Sequence, residues 1–117
     1  MKKTNPDFLN GVPELLILRL LDERPMHGYD LVQAIREASG AKLDFGEGCV
    51  YPVLHRMEEH KLLVAKRLVV NGRNRIVYQL TKQGCKKLAG SLETWKQVVA
   101  AVNAVLEGGS DGRPALA

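Results

Sequence analysis

The fold turns on one stretch, GCVYPVLHRMEEHKLLVAKRLVVNGRNRIVYQLT, residues 48–81. Its first third has helical spacing. At 100° per residue, Val50, Val53, Leu54 and Met57 fall on one side and make a core face. Gly48, Pro52, His55 and Glu59 fall on the other, with Tyr51 and Arg56 on its flanks. Then LLVAKRLVV and RIVYQLT flank NGRN. Asn71 and Gly72 both tolerate positive φ, which is the strongest short-range signal for a tight hairpin. The stretch therefore reads as a helix running into a two-stranded hairpin.

Two further helices precede it. Asn10 offers an N-cap and Pro13 suits a first turn. PELLILRLLDER follows, with Leu15, Leu16 and Leu18 inside and Leu21 as a fourth candidate. Arg24-Pro25 stops it, because the residue before proline avoids the α region. HGYDLVQAIREASG places Leu31, Val32, Ile35 and Ala38 at helical spacing and closes at Gly40. Residues 41–46 connect it to the third helix. Beyond the hairpin, Thr81 caps a last helix that reaches Glu107 before Gly108-Gly109. The order is helix, helix, helix, hairpin, helix. The expected class is mainly α with a β-hairpin: a winged helix-turn-helix plus a long C-terminal dimerisation helix. The segments are 1–9 (N-terminal arm), 10–81 (winged helix-turn-helix), 82–107 (C-terminal helix) and 108–117 (loose tail).

The chain has 117 residues, which suits one domain. Apolar residues make up 45% and aromatic ones only 5%, so the core is built from Leu and Val. Net charge is +4, and its distribution says more than its size. Residues 61–87 hold eight basic residues and no acid: Lys61, Lys66, Arg67, Arg73, Arg75, Lys82, Lys86 and Lys87. The rest of the chain is net acidic. Such a block attracts nucleic acid or an acidic membrane; a solvated face is the plain alternative.

In a winged helix the third helix enters the major groove and the hairpin is the wing. The outward face of residues 48–59 suits that task. Gly48 lets backbone approach DNA, and Pro52 presents a compact ring. Tyr51 offers a hydroxyl to a phosphate; His55 and Arg56 reach bases or phosphates. Lys66, Arg67, Arg73 and Arg75 supply the wing's charge. Alternatively, Tyr51-Pro52 marks a helix start packed against the body. Pro52 also opposes the carbonyl of Gly48 if the helix begins at Glu47.

Other chemistry is thin. Cys49 and Cys85 sit in no CxxC and are not at metal spacing with the histidines, so no metal or other cofactor is expected. They read as reduced, partly buried thiols, with a redox role for Cys49 as the sharper alternative. No nucleophile–base pair or phosphate loop points to an enzyme. No secretory leader is expected, and LLILRLL is too short to span a bilayer. A cytoplasmic protein is expected. His27 reads as a cap or packing residue at the second helix.

In the last helix, Leu88, Leu92, Trp95, Val99, Val102 and Leu106 step by 4 and 3, a heptad seam. It suits a homodimer interface; folding back on its own domain is the alternative. Trp95 is either interface packing or, with Val99, one wall of a central cleft for a flat aromatic or cationic effector.

The runs PELLILRLLDERPMHGYDL, EGCVYPVLHRME and GRNRIVYQLTKQG resemble the signature of the PadR family of bacterial transcriptional regulators, over roughly residues 11–106. The resemblance is to the short subfamily with one C-terminal helix. It implies a dimeric repressor on an inverted-repeat operator in double-stranded DNA, relieved in some relatives by a small aromatic or cationic effector. Relatives with a tryptophan in this helix include multidrug-responsive repressors. Two departures stand out. His60-Lys61 replaces the family's usual glycine after the third helix, and Cys49 replaces a common Thr or Ser. A winged-helix module that binds protein instead of DNA is the alternative function, and Glu47, Glu58 and Glu59 on the third helix favour it.

Overall fold

The computed structural model describes residues 11–108. The N-cap expected at Asn10, the arm and the tail from residue 109 lie outside the described residues. Helix α1 spans Val12–Glu23 with Gly11 at its N-cap, at φ 89°, where only glycine is free of strain. Arg24 ends it in extended conformation, as the following proline requires. Strand β1 is Met26–His27, α2 is Gly28–Ala38 and α3 is Glu47–Glu59. The hairpin is β2 Leu63–Val70 and β3 Arg73–Leu80, and α4 runs Lys82–Leu106.

The hairpin closes where expected. Val70 pairs with Arg73 across Asn71-Gly72, whose φ values are 52° and 78°. Both are positive, as a type I′ turn demands. The sheet has one strand more than expected. β1 pairs with β3, Met26 opposite Tyr78 and His27 opposite Val77. Two residues are too few to show a period of two. The strand order is β1-β3-β2, which puts β2 on an edge of the sheet among the described residues.

One core holds the helices to the sheet base. Ile17, Leu18, Leu31, Leu54, Met57 and Leu63 are essentially sealed from solvent. Three expectations change. Ile17 is fully buried and takes the place expected of Leu15 and Leu16, which are only partly covered on the flanks of α1. Ala38 is exposed, because it is the last residue of α2 and its turn faces outward. Cys85 is exposed, whereas Cys49 is partly buried as expected.

The end of α3 explains how the chain manages without the expected glycine. The Lys61 N–H donates to the Glu58 carbonyl (2.9 Å) and the Leu62 N–H to the Met57 carbonyl (2.9 Å). That is a Schellman closure. It needs a left-handed residue, and Lys61 takes it at φ 61°. The helix therefore ends on schedule, with the strain on a lysine.

The next helix is tied to that turn. Thr81 accepts the Gly84 N–H on its hydroxyl (3.0 Å) and so caps α4. Its own N–H donates to the Leu62 carbonyl at 3.1 Å. Gly84 lies so close to the Leu62 carbonyl that a Cβ there would collide with it. The run Leu-Thr-Lys-Gln-Gly is thus a cap plus a close approach of two backbones.

Candidate nucleic-acid interface

The question raised by Tyr51-Pro52 has a local answer. α3 starts at Glu47, so Pro52 lies inside the helix. It has no N–H to offer the Gly48 carbonyl, and that carbonyl is left without its helical partner. Gly48 is exposed, so water or a polar ligand can reach the group.

Tyr51 is half-buried rather than free. Its ring covers the start of α2 at Gly28. A Cβ on Gly28 would sit 2.6–2.8 Å from two ring carbons and the hydroxyl oxygen of Tyr51. The glycine of HGY and the tyrosine of YP are therefore two halves of one contact. Burial, helped by Glu47, raises the hydroxyl's pKa above its ordinary value; the Tyr29 backbone pulls the other way. The hydroxyl stays protonated at neutral pH and available as a donor. His55 follows one turn later, its ring centroid 6.4 Å from that of Tyr51. His27 caps α2 through Nδ1, which accepts the Tyr29 N–H at 3.0 Å.

The exposed surface of α3 carries Gly48, Pro52, His55, Arg56 and Glu59, while Val50, Val53, Leu54 and Met57 face inward. This is the division expected from the sequence. Burial raises the pKa of Cys49, and nearby Arg56 opposes the rise, so at neutral pH the group is a thiol.

The register sorts the wing cations. Cross-strand partners share a face, and faces alternate along a strand. Lys66 lies opposite Val77, Leu68 opposite Arg75 and Val70 opposite Arg73. Lys66, Arg73 and Arg75 therefore stand on one face. Arg67, opposite Ile76, stands on the other, the face that buries Tyr78 and Leu63 at the sheet base. Arg75 is half-buried in a cleft of about 290 Å³ that His27 and Asp30 also line. The structure brings three of the four wing cations together and turns the fourth away.

The last helix divides in two. Leu88 is buried and Leu92 partly buried against the chain's own core. Leu88 is therefore not available to a second chain, a correction to the expected seam. Its position opposite α1 is what consumes it. Beyond it, Trp95 (43% exposed), Val102, Val105 and Leu106 are open to solvent. Between α1 and α4 lies a cavity of about 310 Å³ lined by Glu14, Leu15, Ser91, Thr94, Trp95 and Val98, together with Gly11 and Val12. Val98 and Glu14 line it beside Trp95; it is a different place from the dimer-centre cleft expected for Trp95 and Val99. Glu14 and Trp95 lie some eighty positions apart, so no local signal in the sequence brings them together.

Three helices, a cap-tied fourth and a wing define a winged-helix protein with an exposed third-helix face. The model of the transcriptional regulator PadR-like family matches residues 17–90. The chain belongs to that family of transcriptional regulators, and its relatives are not enzymes. It is 37% identical over 78 residues to Transcriptional regulator Rv3488 of Mycobacterium tuberculosis, covering 67% of this chain and 70% of that one. Among solved structures, a PadR-like transcriptional regulator from Bacillus cereus superposes with a TM-score of 0.75 at 29% identity, over 87% of this chain and 98% of that one. A PadR family transcription regulator from Clostridium difficile gives 0.72 at 27% identity, over 82% and 99%. Among the described residues, no helix is long and apolar enough to cross a membrane.

Proposed function

We propose that the protein is a homodimeric repressor that binds double-stranded DNA at a palindromic operator, in the cytoplasm. The observation that carries this reading is the joint placement of two surfaces. The exposed face of α3 presents Gly48, His55 and Arg56 next to a wing that gathers Lys66, Arg73 and Arg75 on one face. The segment 61–87 has no acid to oppose phosphate. In this reading α3 enters the major groove, and two copies address half-sites about one duplex turn apart. Tyr51 helps through its hydroxyl, held near the start of α2, where amide N–H groups also favour phosphate.

An effector fits the same scheme. Both Trp95 and Glu14 line the cavity between α1 and α4, a combination of ring and acid that suits a flat aromatic cation. A ligand there would press on α4 and so on the spacing of the two α3 helices.

Titration of labelled upstream DNA of the protein's own gene, at several salt concentrations, tests the proposal. Binding that weakens steeply with salt and selects one fragment supports it. Equal weak binding to every fragment would favour the protein-binding alternative, which the exposed Glu58 and Glu59 on α3 support.

A further inference from the structure

The outer edge of β2 and the side chain of Arg67 take no part in the surface formed by α3 and the wing's cation face. The register fixes which groups that edge presents. Val70 and Arg73 close a two-residue turn, so they are a hydrogen-bonded pair. Bonded and unbonded pairs then alternate down the hairpin. Val64, Lys66, Leu68 and Val70 turn their N–H and C=O groups toward β3. The Leu62 carbonyl, which accepts the Thr81 N–H, has the same parity. Leu63, Ala65, Arg67 and Val69 turn theirs outward, where no strand pairs with them among the described residues. Every side chain from Val64 to Val70 is exposed. At the foot of this edge is a cleft of about 540 Å³ between the end of α3 and the start of α4. Lys61, Lys82 and Glu58 line it together with Leu63, Val64 and Ala65.

We propose that the outer edge of β2 takes up an extended acidic peptide of another protein as a fourth strand. The proposal goes beyond the DNA reading and does not depend on it. Three observations select this occupant. First, the edge alternates donors and acceptors along its length, which a peptide backbone matches. A duplex offers phosphate oxygens there, and the outward carbonyls repel them. Second, the charges select acid. Lys66 and Arg67 stand side by side in mid-strand on opposite faces, with Val64 and Ala65 before them and Leu68 and Val69 after. A strand paired with β2 therefore meets both cations when it carries two consecutive acids between apolar pairs, in either direction. Lys61 and Lys82 outnumber Glu58 at the foot, and the first turn of α4 has no acid. Third, a second copy fits badly. In the central register, β2 against β2 sets Lys66 and Arg67 against their own copies, and like charges opposite each other destabilise a ladder.

The arrangement gives Arg67 a partner on the face that the other wing cations leave. Lys66 belongs to both surfaces, so in the DNA reading a bound peptide competes with the duplex for it.

Fluorescence anisotropy with the whole protein tests this. The probe is a labelled peptide, Ser-Thr-Val-Val-Asp-Glu-Val-Val-Thr-Ser, and it should bind with a dissociation constant below about 1 mM. No binding up to that concentration would overturn the proposal. Two further peptides carry N-methyl groups on alternate amides, one on the odd set and one on the even set. A strand uses one set toward β2 and leaves the other in water, so one peptide should lose at least about tenfold in affinity and the other little. Equal affinities for the two would rule out strand addition. Replacing Asp-Glu by Asn-Gln should weaken binding about tenfold. An unchanged affinity would remove the charge argument and the proposal with it. Arg67→Gln should weaken the parent peptide about threefold, whereas Arg73→Gln, across the hairpin from the edge, should leave it unchanged. Equal loss in both would reduce the effect to the wing's general field and overturn the site. Retention of a DNA fragment is read separately, so either reading can fail while the other stands.

Discussion

The Thr81 hydroxyl donates a 2.7 Å hydrogen bond to the Lys61 carbonyl. The same oxygen accepts the Gly84 N–H. One side chain thus fastens the end of α3 to the start of α4. Thr81→Val keeps the volume and removes both bonds. It should cost about 2 kcal/mol, adding a lost cap to a lost hydrogen bond. Thr81→Ser should restore most of it. Gly84→Ala should cost about 2–3 kcal/mol, because its methyl meets backbone rather than a movable side chain. Urea unfolding at one fixed protein concentration measures all three. The concentration must be held because association adds to apparent stability.

Lys61 predicts the opposite sign. A non-glycine residue at φ 61° carries about 1–2 kcal/mol of strain. Glycine removes the strain but loosens the unfolded chain by about 0.5–1 kcal/mol. Lys61→Gly should therefore stabilise the protein by about 0.5–1 kcal/mol. A lower urea midpoint would show that the lysine side chain has packing of its own.

The wing is expected to act through phosphates. Arg73→Ala and Lys66→Ala should each lower the slope of log affinity against log salt by about 1, on any duplex that binds. Slopes that stay put in the double variant would remove the wing from the interface. Tyr51→Phe should weaken operator binding while the unfolding midpoint changes little, because the ring that covers Gly28 remains.

Two tyrosines set a limit at high pH. Burial raises the pKa of Tyr51, with Glu47 adding to it, and burial raises that of Tyr78, with Glu58 adding to it. A raised folded-state pKa favours the neutral phenol in the fold. That stability is whole below the unfolded pKa of about 10 and is lost as pH climbs through the folded values. The urea midpoint should therefore fall as pH rises above about 10. In Tyr78→Phe the fall should be shallower, and an equally steep fall would assign it to other groups.

The cavity between α1 and α4 makes a ligand prediction. Flat aromatic cations should quench Trp95 fluorescence more than neutral molecules of the same shape. Glu14→Gln should remove most of that preference and leave affinity for the neutral molecules unchanged. Equal preference in both proteins would separate Glu14 from recognition.

Much of this architecture is legible along the chain because its signals are local. Asn71-Gly72 fixes the turn by itself, and the spacing of Val50, Val53, Leu54 and Met57 fixes the inward face of α3. What escapes is contact between distant segments. Gly28 meets Tyr51 across 23 positions, and each residue alone reads as a turn or a helix start. β1 is too short for any period. Leu88 shows why a heptad is ambiguous: its place in the pattern is the same whether it meets a second chain or its own core. Leu15 and Leu16 look as apolar as Ile17 and Leu18, and only the direction of α1 over the sheet tells them apart. The roles assigned to the surface residues are not decided by packing at all.

The outermost strand carries a consequence of its own. Among the described residues no strand pairs with the outer rim of β2, and Leu68, Val69 and Val70 stand beside it, exposed. Such a rim is a template on which further copies can stack into fibres. Lys66 and Arg67 are the repelling charges that hold copies apart, and concentrated salt or a bound polyanion silences both. The same lysine that would grip a promoter is thus part of the chain's guard against its own precipitation.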